Sequence, residues 1–293
     1  MIYVILTILL FNLLIIIFKL FERFKVDNLQ ALIVNYVTAG TIGFILSEQP
    51  INIQHILSAP WLYHAMVIGF LFIIVFNFYA FGTQKVGIAV TTVANKMSLV
   101  IPVAAAIIIY PEQQLSPEKM IGFVLALIGI YLASTKGGKL SFNIKYLWLI
   151  ILVFIGQGVA DSIFENSKLF LPEGEEMLYF VVLFFIAGIS GLLILLGKSV
   201  ASPPKFELKN IFWGVVFGIP NFFSLSFMLQ ALEVKSLGGG SVVFPLVSIG
   251  VVVVSSVIGL VLFKEKLTRG NWIGILFACG AIAIFSFGHY IFG

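Results

Sequence analysis

Apolar residues run almost without interruption along this chain. Ten stretches, most near 20 residues, fill nearly all of its 293 positions, and only short polar loops part them. A helix needs about 20 consecutive apolar residues to cross a hydrocarbon layer ~30 Å thick. Inside lipid only helices and closed barrels satisfy their own backbone groups. The runs here are continuous rather than alternating, which selects helices over barrel strands. Hydrophobic residues make up 60% of the chain and charged residues 10%, more apolar surface than a water-soluble domain can hide. The sequence therefore predicts an all-α membrane protein with ten transmembrane helices. Its function should reside in the few polar groups inside them.

The predicted spans are 2–21, 29–47, 61–82, 87–110, 119–135, 145–166, 176–197, 210–232, 237–263 and 271–291. Pro50, Pro60, Pro111, Pro117, Gly137-Gly138, Pro172 and Pro203-Pro204 mark the gaps between them. The first run, Ile2 to Phe18, has no basic segment before it and no small-residue cleavage site, so it reads as a retained helix. The single cysteine, Cys279, excludes an internal disulfide. Gly122 and Gly129, or Gly188 and Gly191, have the spacing that lets helices approach closely. Pro102, Pro220 and Pro245 are expected to interrupt their helices. Gly238-Gly239-Gly240 opens the ninth span with little side-chain bulk.

The two halves echo one another. Leu115-Ser116 followed by Ile121-Gly122 returns, 152 residues later, as Leu267-Thr268 followed by Ile273-Gly274. Acidic turns precede both, Pro111-Glu112-Gln113-Gln114 and Lys264-Glu265-Lys266. Five spans per copy is an odd number, so the second copy must enter the membrane in the opposite direction. Two inverted five-helix repeats, 1–140 and 141–293, are the expectation, with a site between them. With Val86-Gly87-Ile88-Ala89 opening the fourth span, and Asn12 and Lys19 in the first, these elements resemble the ten-helix EamA-type members of the drug/metabolite transporter superfamily. The resemblance extends over essentially the whole chain. It implies a secondary transporter working by alternating access around a central cavity, with export favoured, in a prokaryotic cytoplasmic membrane. It places the first, third, fourth, sixth, eighth and ninth spans around that cavity.

Lys96 is the costliest residue in the sequence. Nine residues into the fourth span, it lies about 14 Å deep at 1.5 Å per residue, near the midplane. A charge there costs at least ~2.5 kcal/mol on insertion scales, so it must face protein or water. It is either an anchor for a substrate anion or a structural ion pair. Gln157, Asp161 and Glu165 recur at i, i+4 and i+8 on one face of the sixth span. The fourth and sixth spans enter from the same side, and at 1.5 Å per residue Gln157 lies about 18 Å and Asp161 about 24 Å into its span. Gln157 is then level with Lys96 and Asp161 is the expected partner, while Glu165 falls near the interface. Asn12, Asn77, Asn95 and Asn221 complete the expected substrate-binding set; Asn35 and Gln230 read as ordinary helix-to-helix ties. Phe72, Tyr79, Phe222, Phe223 and Trp213 are either cavity walls or packing.

Nothing points to catalysis. There is no phosphate-cradling glycine loop, His55, His64 and His289 lack metal spacing, and no serine–histidine–acid set is evident. No cofactor and no metal is expected. The expected partners are a small polar or amphipathic substrate and the lipid bilayer, with a homo-oligomer left open and nucleic acid excluded. A membrane enzyme acting on a lipid-linked substrate, and a non-transporting scaffold or receptor, are the alternatives. Sidedness is contested. Thirteen of the 17 basic residues stand in loops after odd-numbered spans and three in loops after even-numbered ones. The positive-inside bias then puts both termini outside, whereas the family resemblance puts them in the cytoplasm.

Overall fold

The computed structural model describes residues 1–47, 52–109, 116–136, 139–201, 205–234 and 240–292. Of the features singled out above, Pro50, the turn from Pro111 to Leu115, Gly137-Gly138, Pro203-Pro204 and Gly238-Gly239 lie outside these residues. Within them, ten helical segments are long and apolar enough to cross a membrane, which makes the chain a multi-pass membrane protein.

The helices are α1 (Ile2–Arg23), α2 (Asn28–Leu46), the short α3 (Ile53–Ser58), α4 (Leu62–Lys85), α5 (Ile88–Met97), α6 (Val100–Ile109), α7 (Pro117–Ser134), α8 (Leu147–Ser167), α9 (Glu176–Ala201), α10 (Leu208–Glu233), α11 (Gly240–Val261) and α12 (Arg269–Phe292). Two features were not foreseen. The loop after α2 carries α3, whose start is capped by the Asn52 side chain accepting from the Gln54 amide at 2.9 Å. After α7 comes a two-residue antiparallel pair, β1 (Thr135–Lys136) with β2 (Lys139–Leu140).

Local chemistry sets the ends. Asp27 caps α2 by accepting from the Gln30 amide at 2.9 Å. Just before it, α1 ends with Lys25 in the left-handed region at φ 52°. The Lys25 amide donates to the Glu22 carbonyl at 3.2 Å and the Val26 amide to the Phe21 carbonyl at 2.9 Å. That is the Schellman pattern, with a lysine where glycine is usual. At the start of α5, Gly87 has φ 125°, and the Glu265 carboxylate closes over it. Its Oε1 accepts from the Ile88 amide at 2.7 Å and its Oε2 from the Ala89 amide at 3.3 Å. A carboxylate there satisfies two orphan donors and complements the positive end of the helix dipole. Glu265 thus joins the α11–α12 connection to the head of α5.

The predicted fourth span is not one helix. It breaks at Ser98-Leu99 into α5 and α6. Pro102 explains the break, because it has no N–H to return to the Ser98 carbonyl and its ring crowds that oxygen. The Ser98 carbonyl instead accepts from the Ile101 amide at 2.8 Å, one residue nearer. Pro220 and Pro245, also expected to interrupt, lie inside the unbroken α10 and α11.

In the packed bundle, α2 lies against α9 and α10, α4 against α8 and α9, and α1 against α10 and α11. α5 sits between α8 and α11, and α7 pairs with α12. The main apolar core is built from large rings, among them Phe18, Tyr36, Trp61, Tyr179 and Phe217. A second core joins α5, α7, α11 and α12 through Val93, Met97, Ala126, Val252 and Ala278. Where α7 crosses α12 the backbones nearly touch. A Cβ on Gly129 would lie 2.9 Å from the Ala278 nitrogen and 3.1 Å from the Gly274 oxygen. Gly122, Gly188 and Gly191 also pack against neighbouring helices, so the glycines read as contact points are contact points.

Candidate functional site

Lys96 stands on the last turn of α5, directly before the helix break. It is only partly buried, although α8 packs on its helix and Phe11 of α1 faces its ammonium. On the α1 side its ammonium lies 5.2 Å from the centre of the Phe11 ring, a cation–π contact. On the α8 side Asp161 is within electrostatic reach. The two do not touch. Among the described residues Lys96 makes no direct ion pair. The expectation that it would find an acceptor in Asp161 is therefore met only at longer range.

The carboxylate is held from its own helix. Gln157 Nε2 donates to Asp161 Oδ1 at 2.8 Å, and Gln157 Oε1 accepts from Asn95 Nδ2 at 3.1 Å. The carboxamide of Gln157 thus relays between α5 and α8, at the level its depth in the sixth span assigned to it. The Ser98 hydroxyl donates to the Asn95 carbonyl at 2.5 Å, tightening the end of α5, and it also neighbours the Asp161 carboxylate. Asn95, Lys96, Gln157 and Asp161 are therefore brought together at the point where the fourth span is broken. Glu165, the third residue of the α8 stripe, pairs with Lys168 at 2.7 Å and is 59% exposed, as a solvated end of the helix should be.

The other expected residues separate into two groups. Asn12 is buried next to Phe11 on α1; its Nδ2 donates to the Ile8 carbonyl at 2.8 Å, while its Oδ1 has no donor among the described residues. Asn77 is half-buried in α4. Asn221 instead bonds with Asn35: its Nδ2 donates to Asn35 Oδ1 at 2.9 Å, tying α10 to α2. Asn221 is engaged as a helix tie, the role expected for Asn35 and Gln230 and not for Asn221. Gln230 bonds within its own helix to Ser226 at 3.3 Å. Tyr79 and Phe222 are core residues; the Tyr79 hydroxyl is bonded to Thr92 at 3.0 Å. Trp213 packs tilted against Phe24, 5.0 Å between centres.

Two participants escaped the sequence. Phe11 is one of 30 phenylalanines, and nothing local distinguishes it. Ser98 had a signal: it stands four residues before a proline in a span already carrying a lysine, where a freed carbonyl needs attention.

No family model matches the chain. An uncharacterized protein of Haemophilus influenzae is 29% identical over 259 residues, covering 86% of each chain. A solved crystal structure, described only as that of a protein, aligns with a TM-score of 0.59 and 17% identity over 100% of this chain and 98% of its own. At that identity the likeness concerns the fold.

Proposed function

We propose that the chain is a secondary transporter of a small polar or amphipathic solute, built as two inverted five-helix repeats and residing in a prokaryotic cytoplasmic membrane. The observation that carries the reading is the broken span beside Lys96. A discontinuous helix at the midplane, with a charged residue at the break and polar groups arriving from a facing helix, is how many transporters build a solute site. Lys96 and Asn95 belong to the first half, and Gln157 and Asp161 to the second. The site therefore lies between the proposed repeats, where relative motion of the halves would alter it.

The packing supports the repeat. Moving five spans along the chain turns α1, α2, α4, α5 and α7 into α8, α9, α10, α11 and α12. Under that exchange the α2–α10 contact becomes α9–α4, the α1–α10 contact becomes α8–α4, and the α1–α11 contact becomes α8–α5; all are present. Three pairs map onto themselves: α2–α9, α5–α11 and α7–α12. Finer reciprocity appears at the last pair. Gly122 meets Phe285 and Gly274 meets Ala133, and adding 152 to 122 and 133 gives 274 and 285. A two-fold relation demands such crossed contacts. The odd number of spans per copy puts its axis in the membrane plane.

Export of the solute is favoured by the family resemblance. The test is flux. Purified protein in sealed vesicles loaded with amino acids, nucleosides, sugars and organic cations should release at least one of them faster than protein-free vesicles do, as read by mass spectrometry. Lys96→Met should remove that release while inserting normally. Release unchanged by Lys96→Met, or no release of any solute, would count against the reading.

A further inference from the structure

The centre of the bundle holds two opposite charges that do not touch. The ammonium of Lys96 has a ring face at 5.2 Å but no anion in contact among the described residues. A cation–π contact offsets only part of the cost of taking an ammonium out of water. Asp161 receives one bond from Gln157 at 2.8 Å and has the Ser98 hydroxyl nearby. A carboxylate has lone pairs for about four donors, so room for a further donor remains.

Each side chain is already engaged on the side away from the other. The Asn95–Gln157–Asp161 relay pins the carboxylate towards α8, at 3.1 Å and 2.8 Å. Phe11 holds the ammonium towards α1. Both charged residues are only partly buried, so each presents accessible surface at this level. The pair is neutral in sum but separated in space.

From this geometry we infer that the solute is a compact zwitterion, its anionic group docking on Lys96 and its ammonium on Asp161, with the Phe11 face beside its apolar part. This rests on the transporter reading of the same site. The charge balance argues for it. A simple anion would pair with Lys96 but bring a second negative charge up to Asp161. A simple cation would do the reverse. Only a molecule carrying both groups satisfies both residues and leaves neither half-buried charge unpaired, which is the costly outcome.

The test uses the full-length purified protein and a matched panel: the twenty common amino acids, the carboxylic acids that lack their amino group, and the amines that lack their carboxylate. At least one zwitterion should raise the apparent melting temperature, because a ligand bound only by the folded state stabilises it. Its matched acid and amine at equal concentration should give no shift. Lys96→Met and Asp161→Asn, each melting cooperatively without ligand, should lose the shift. Should Asp161→Asn fail to fold, competition decides: hundredfold excess of acid or amine should leave the zwitterion bound to the wild type. An acid or amine that binds as well as the zwitterion overturns the inference. So does a shift that survives in either variant, or a panel with no shift at all. Flux of a plain anion or cation would sink the zwitterion and leave the transporter reading standing. Zwitterion binding without flux of any solute would do the opposite.

Discussion

Adding a single methyl group at Gly274 should be among the most damaging small changes in the protein. A Cβ there would press on the Ala133 amide nitrogen and stand 2.9 Å from both the Gly129 oxygen and the Leu132 carbonyl carbon. All three are backbone atoms of α7, so no side chain can swing aside and the two helices must part. Overpacking of a tight contact costs about 1–3 kcal/mol, and a clash with backbone belongs at the upper end. Alanine recovers ~1 kcal/mol of helix propensity, leaving Gly274→Ala destabilised by ~2 kcal/mol. Gly197 on α9 is the control, because nothing lies within 4 Å of a Cβ built there. Gly197→Ala should gain up to ~1 kcal/mol from propensity alone. Gly122→Ala should fall between them, since it meets only the Phe285 ring, whose edge at 2.8 Å can move. Unfolding in mixed micelles of rising denaturing-detergent content would give all three values. A Gly274→Ala protein as stable as the wild type would refute the close crossing of α7 and α12.

Three further outcomes are expected, two from named contacts and one from the distribution of basic residues. The Asn35–Asn221 bond at 2.9 Å should show a coupling of about 0.6 kcal/mol, and under ~1.7, in a double-mutant cycle to leucine; zero coupling would mean the two carboxamides do not meet. Glu265→Ala should cost about 1 kcal/mol by uncapping α5, and Glu265→Gln less, because its amide oxygen still accepts from the Ile88 amide; equal stability of all three proteins would remove the clamp. The basic loops after odd-numbered spans predict both termini outside. A C-terminal fusion after Gly293 should then show alkaline phosphatase activity and no green fluorescence. The opposite pattern would show that the family resemblance was the better guide to sidedness.

The parts of the fold carried by length and hydropathy were readable from sequence, and the parts carried by single contacts were not. Continuous apolar runs gave ten spans because crossing lipid fixes their length. The i, i+4 rule placed Gln157 and Asp161 on one face, and depth along the two spans placed them at the level of Lys96. Pro102 announced a disturbance in the fourth span, but Pro220 and Pro245 announced disturbances that α10 and α11 absorb. A proline's effect depends on which neighbours resatisfy the freed carbonyl, and that is a tertiary property. The choice of Phe11 over other rings, and the pairing of Asn221 with Asn35, depend on helix rotation within the bundle. An apolar helix surrounded by lipid and by other apolar helices has little periodicity to reveal that rotation.

In a protein working by alternating access, the level of Lys96 is a water-accessible site reached in turn from both sides of the membrane. The direct test is Lys96→Cys in a Cys279→Ser background, reconstituted in sealed vesicles and treated with a membrane-impermeant thiol reagent from one side at a time. Labelling is expected from each side in separate experiments, with bound solute slowing both. Labelling from neither side, or from one side only under all solute conditions, would contradict it.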